Sequence, residues 1–186
     1  MRFILFLNCL VFYICSYSQT LPGDIQIQSV DFTEMQADIY IEPNNKKVSG
    51  EVLFLFEVLS PADSVFIDAK KMEFSEVLLN GEPVDTEYDG SRLWIKSKLL
   101  PSEENKLSLK YTAFPKQTMY FINWDIPKNM DVSRQVWTQG QGRYTSHWLP
   151  SFDDTREKII FNISYSFNDD YQVISNGMLK EKDQIN

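Results

Sequence analysis

Two cysteines and one histidine are all this 186-residue chain contains of either type, and both cysteines, Cys9 and Cys15, stand at its very start. Nothing downstream can build a disulfide framework or a cysteine-ligated metal centre. A lone His147 cannot write the zinc signature His-Glu-x-x-His. It would also have to serve alone as the base of any nucleophilic triad, and no Gly-x-Ser-x-Gly elbow accompanies it. Glycine is scarce, at seven residues. Gly140 and Gly142 are too few for a phosphate cradle and lack its Lys-Ser/Thr ending. Positive charge is in the minority, with 18 Lys and Arg against 26 Asp and Glu and a net charge of −8. That balance argues against nucleic acid and anionic membrane as partners.

Long apolar runs are missing too, with one exception. Arg2 is followed by an almost unbroken apolar stretch from Phe3 to Ile14, and then by Ser16, Tyr17 and Ser18. A positive start, an apolar middle and small residues at the −3 and −1 positions make a secretory signal peptide. A membrane-spanning helix would need about 20 apolar residues, and Asn8 interrupts this shorter run. Ile14 before Cys15 does not suit lipid attachment, which wants a small residue there. The expectation is cleavage after Ser18 and export, periplasmic or secreted. The mature chain, 19–186, then carries no cysteine and no membrane span.

Helical periodicity longer than two turns is the last absence. What is present reads as β. Residues 158–168 alternate Ile159, Phe161, Ile163, Tyr165 and Phe167 with Asn162, Ser164 and Ser166, a period of two with one buried face. In 106–111, Leu107, Leu109 and Tyr111 share a face. Residues 52–58 are apolar on both faces, as a central strand covered on both sides would be. Asn80-Gly81, Asp89-Gly90 and Asn176-Gly177 supply turns that accept positive φ. The polar end, 180–186, stops soon after the last of these turns, so the chain reads as ending inside a larger polypeptide. Asn162-Ile-Ser164 is a glycosylation sequon on paper, but Asn162 simply fills the outward face of its strand.

One stretch holds most of the polar chemistry: WTQGQGRYTSHWLPSFDD, residues 137–154. His147 with Asp153 and Asp154 could be taken for a metal cluster. A hydrogen-bonded structural histidine is the better reading, with the two aspartates capping a tight turn. Gln139 and Gln141 differ from these. Two apart, they point to one side of an extended segment, and the flanking glycines let a ligand or another backbone come close. They make a candidate recognition edge for peptide groups, weighed against a purely structural role.

With the later Ser175-Asn176-Gly177 this stretch resembles the amino-terminal domain of zinc metallo-aminopeptidases of the aminopeptidase N type, the gluzincin family. The upstream pieces Ala37-Asp-Ile-Tyr-Ile41, Val48-Ser-Gly-Glu-Val52, Phe66-Ile-Asp-Ala69 and Val77-Leu-Leu-Asn-Gly81 follow the same order, so the resemblance covers about residues 30 to 180. It implies an all-β fold, a saddle-shaped antiparallel β-sandwich, packed against a catalytic domain of the same polypeptide that carries the zinc. It also implies that Gln141 helps hold the free amino terminus of a peptide substrate and that Gln139 lines the first specificity pocket. Residues 19–186 would then orient substrate, bind no metal themselves and be inactive alone. Ser151 and Thr155 stand where the family often has cysteine and proline, and Gln141 where many members have glutamate. The competing reading is a free-standing exported β-sandwich module that uses Trp124, Trp137 or Trp148 to bind sugars or peptides.

Overall fold

The computed structural model describes residues 22–183, with residues 22–25 and 103 described by their backbone alone. The expected signal peptide, 1–18, and both cysteines lie outside the described residues. A short helix, α1 (Pro22–Ser29), leads into β1 (Val30–Glu42), β2 (Lys47–Val58), β3 (Ala62–Asp68), β4 (Met72–Leu79), β5 (Glu82–Pro83) and β6 (Asp85–Tyr88). Then come β7 (Arg92–Leu99), β8 (Ser102–Ala113), β9 (Met119–Ile122), β10 (Gln135–Thr138) and β11 (Ile160–Ser166). The strands form a six-stranded sheet in the order β11-β1-β2-β8-β4-β5, a three-stranded sheet β3-β7-β6, and the hairpin β9–β10. No helix among the described residues is long and apolar enough to cross a membrane.

The two larger sheets meet over one core. Val52, Phe54 and Phe56 from β2 and Leu107, Leu109 and Tyr111 from β8 pack with Val65 and Ile67 of β3 and Leu93 and Ile95 of β7. Alternation along each strand decides which residues enter. In β2 Val52, Phe54, Phe56 and Val58 are buried, while Leu53 and Leu55 on the opposite face are half-buried. β2 is central, as its apolar run predicts, but its second face is only partly covered. Phe152 enters from a distant loop, its ring 4.4 Å from that of Phe32 and 5.5 Å from that of Phe54. Gly50 owes its place to crowding: a Cβ there would lie 2.5 Å from the carbonyl oxygen of Asp38.

Asn80-Gly81 closes the β4–β5 hairpin with φ of 54° and 87°, the double positive pair that a two-residue turn needs. Two expectations change. The β1–β11 pair is parallel, so the sandwich is antiparallel everywhere except at that edge. A strand arriving after so long an excursion has no hairpin to impose antiparallel pairing. The face of β11 expected to be buried is also incompletely so. Phe161 is 56% exposed and Ile163 and Tyr165 are half-buried, because β11 is the outermost strand of its sheet.

Helix α1 was not legible in the sequence, since PGDIQIQS carries no apolar stripe. Its anchor is polar. Buried Gln26 accepts the Phe66 N–H at 2.7 Å and donates to the Phe66 carbonyl at 3.0 Å. One side chain thereby satisfies both backbone groups of a residue on the sheet edge.

Candidate functional site

The β9–β10 hairpin brings Trp137 opposite Tyr120, rings stacked at 4.3 Å and 25°. The ladder runs one bond further, from the Gln139 N–H to the Thr118 carbonyl at 2.8 Å, and the chain then turns back on itself. Gly140 permits that turn, because a Cβ there would meet Thr145 Oγ1 at 2.3 Å. Gly142 completes it with φ of +80°, a conformation that favours glycine. A single 3-10 turn, Thr145–His147, follows.

Gln139 and Gln141 both line a recess of about 400 Å3, together with Gln117, Thr118, Tyr120 and Tyr144. The expectation that the two glutamines share a side therefore holds, but through a different backbone. Residue 141 lies in the turn, not in an extended strand. Neither glutamine side chain hydrogen-bonds to another described residue. Among the described residues no carboxylate lines the recess, and the side-chain acceptors there are amide and hydroxyl oxygens.

The backbone beneath is held firmly. Thr118 sits at φ 67°, a conformation that costs a β-branched residue about 1–3 kcal/mol. It is buried, and its hydroxyl donates to the Tyr144 carbonyl at 3.1 Å. Lys70 reaches across to donate to the Arg143 carbonyl at 2.6 Å and pairs with Asp153, which also accepts from the Ser146 hydroxyl at 2.7 Å. Asp68, itself buried, accepts from Arg92 Nε at 3.0 Å and from the Asp153 N–H at 2.8 Å. Its backbone exchanges both hydrogen bonds with Ser151, at 2.9 and 3.0 Å. These bonds fasten residues 143–153 to the end of β3.

The polar residues singled out in the sequence separate accordingly. Asp154 caps a turn as expected, accepting the Arg156 N–H at 3.0 Å, and the Arg156 guanidinium holds its carboxyl down at about 2. Asp153 does not cap. Its carboxylate is drawn instead to the ammonium of Lys70, a charged donor stronger than a backbone N–H. His147 meets Gln117, whose amide nitrogen lies 2.7 Å from Nε2 and 3.4 Å from Nδ1. Burial and the charge of Lys70 push the His147 pKa below the ordinary histidine value. Asn162 donates to Glu34 at 2.7 Å.

His147, Asp153 and Asp154 therefore do not fit a zinc ion. Their donor atoms are engaged by an amide, an ammonium with a hydroxyl, and a guanidinium respectively. The three tryptophans of the competing reading scatter. Trp148 is 6% exposed, and Trp124 packs on Phe167 and Tyr171 while donating to the Gln135 carbonyl. Only Trp137 of the three, 44% exposed, presents much surface beside the recess.

Sequence reasoning missed Gln117, Lys70 and Asp68. No local pattern marks them, because their partners lie 30, 83 and 85 positions away.

The solved structures similar to this chain include M1 zinc metallopeptidases and a leukotriene A4 hydrolase. An M1 zinc metallopeptidase from Deinococcus radiodurans superimposes with a TM-score of 0.60 at 16% identity, over 74% of this chain and 32% of its own. A mutant of an M1 zinc metallopeptidase from the same organism is solved with a Tyr-Ser-Ala substrate bound. Leukotriene A4 hydrolase from Saccharomyces cerevisiae gives 0.63 at 19% identity, over 75% of this chain and 23% of its own. This chain thus spans between 23% and 32% of the length of these structures. No curated protein matches it. The family model described as the Peptidase M1 N-terminal domain matches residues 31–186. On that match, and on the sandwich that carries it, the chain belongs to the M1 peptidase N-terminal domain family.

Proposed function

We propose that this chain supplies the substrate-orienting edge of an exported zinc aminopeptidase, an enzyme that removes amino-terminal residues from peptides. The observation that carries this reading is the recess itself. Gln139 and Gln141 stand together there without side-chain hydrogen-bond partners among the described residues, on a turn braced by Lys70, Asp153 and Thr118. Unpaired amides on rigid backbone are suited to a peptide end, because a fixed acceptor loses little entropy when it binds. Gln141 accepts from the substrate's ammonium, and Gln139 faces its first side chain. The metal chemistry would belong to a catalytic domain of the same polypeptide, whose zinc would supply Lewis-acid activation of water and of the scissile carbonyl. This chain contributes position, which is itself worth orders of magnitude in rate. Export is inferred from Arg2, the apolar run after it and Ser16 to Ser18.

Steady-state kinetics of the full-length polypeptide on amino-acid anilides test the reading. Gln141→Ala is expected to lower kcat/KM by about tenfold to a hundredfold, since a charged donor loses its acceptor. Gln141→Glu retains activity or tightens binding, and Gln139→Ala shifts side-chain preference more than rate. Wild-type kinetics in a well-folded Gln141→Ala enzyme would remove the assignment. The mass of the exported chain tests the leader: it should begin at Gln19, and an intact Met1 on exported protein contradicts cleavage.

A further inference from the structure

A free ammonium carries three N–H donors, and one neutral amide oxygen at Gln141 is a thin provision for it. The recess holds another. Gln117 lies on the connection between β8 and β9, exposed and immediately before the strained Thr118. Its amide nitrogen is taken up by the His147 ring, 2.7 Å from Nε2. Its carbonyl oxygen has no donor among the described residues. His147 is in turn held on the Thr145–His147 turn with the Tyr144 ring stacked nearby, at 6.1 Å and 25°.

We propose that Gln117 is a third amide of the recess, turned by His147 so that its carbonyl oxygen accepts, beside Gln141, a hydrogen bond from the amino-terminal ammonium of a bound peptide. The proposal rests on the aminopeptidase reading above. Its logic is one of amide orientation. A neutral imidazole with its proton on Nδ1 offers the Nε2 lone pair to the Gln117 N–H, and the amide oxygen must then face away from the ring. An imidazolium has no acceptor, because both ring nitrogens donate. It would claim the Gln117 oxygen and turn the amide N–H groups toward the recess, where they oppose an ammonium.

The charged groups around His147 favour the neutral ring. Lys70 and Lys71, from the connection after β3, disfavour its protonation, as does burial, while Asp153 from the following loop opposes them in part. Tyr144 faces it with its ring, at 6.1 Å and 25°. Acceptor orientation therefore persists through neutral pH and is lost only below the ordinary histidine range.

Gln117→Leu and His147→Phe in the full-length polypeptide test this, with Gln141→Ala alongside. At neutral pH, Gln117→Leu should raise KM for an amino-acid anilide by about threefold to tenfold, the loss of one hydrogen bond to a charged group, with kcat hardly moved. His147→Phe keeps a ring against Tyr144 but cannot orient the amide, and should raise KM similarly. As the pH is lowered from about 8 to about 5, the wild-type KM should climb towards that of the variants. An unchanged KM in Gln117→Leu, in an enzyme that Gln141→Ala impairs, overturns the role of Gln117 and leaves the aminopeptidase reading standing. A wild-type to Gln117→Leu ratio of KM that does not change with pH overturns the part played by His147. Silence of Gln141→Ala, or no amino-terminal cleavage at all, overturns both proposals.

Discussion

Glu157 is a carboxylate that its surroundings hold above its ordinary value. Its pKa is pushed up to about 6 by burial and by the neighbouring charges of Asp31 and Asp154, against the opposing hydrogen bond from the Phe32 N–H at 3.2 Å. The folded chain thus keeps a proton that the unfolded chain releases at its ordinary value of 4.5. Wherever the folded state binds more protons, stability falls as pH rises. The contribution of Glu157 is complete below 4.5 and is lost by the time the pH has passed about 6. Glu157→Gln retains an acceptor for Phe32 without the charge. The variant should melt higher than wild type at neutral pH, by of the order of 2 °C once solvent screening is allowed for. The gain should vanish below pH 4.5, and a gain of equal size in acid would show that charge is not its cause.

At the scale of the element, the loop after β10 depends on one missing carbon atom. Gly140→Ala would place a Cβ 2.3 Å from Thr145 Oγ1, so the turn that carries Gln139 and Gln141 must shift. Displacements of about 1 Å around a reacting centre cost up to a hundredfold in rate. Gly140→Ala in the full-length polypeptide should therefore lower kcat/KM by about tenfold or more. Adding Thr145→Ala removes the obstructing hydroxyl and should recover most of the loss. A double variant as impaired as the single would place the fault elsewhere in the turn.

The same loop marks the boundary of what a sequence discloses. Strand periods and the Asn80-Gly81 turn are local, and β8 places Leu107, Leu109 and Tyr111 in the core as alternation requires. The glutamine pair was also legible, because two polar residues among glycines stand out in any backbone. The turn that gathers them was not. It depends on Thr145 facing a residue with no side chain, and on a lysine 83 positions before the aspartate it pairs with. Gln117 shows the limit most plainly: nothing around it in the sequence distinguishes it, and the role proposed for it depends on His147, 30 positions away.

Taken whole, the molecule is unevenly covered. Ile160 and Phe161, on the outermost strand of the large sheet, are 66% and 56% exposed, and Ile174, Met178 and Leu179 lie open on the segment beyond. An unpaired strand edge bearing apolar side chains invites association. The 186-residue chain alone should sediment with an apparent mass that rises with concentration, and Phe161→Lys should reduce that rise. A strictly monomeric chain across the same range would mean that this edge is not adhesive.

The parallel pairing of β1 with β11 carries a consequence for how the protein is made. Asn162 donates to Glu34 across 128 positions of sequence, whereas β1 and β2 are joined by a short turn. A ribosome delivers β1, β2 and their antiparallel neighbours long before β11 leaves the exit tunnel. Contacts between positions so far apart in sequence form slowly. The outer flank of β1 therefore waits bare until β11, the strand that covers it, has emerged.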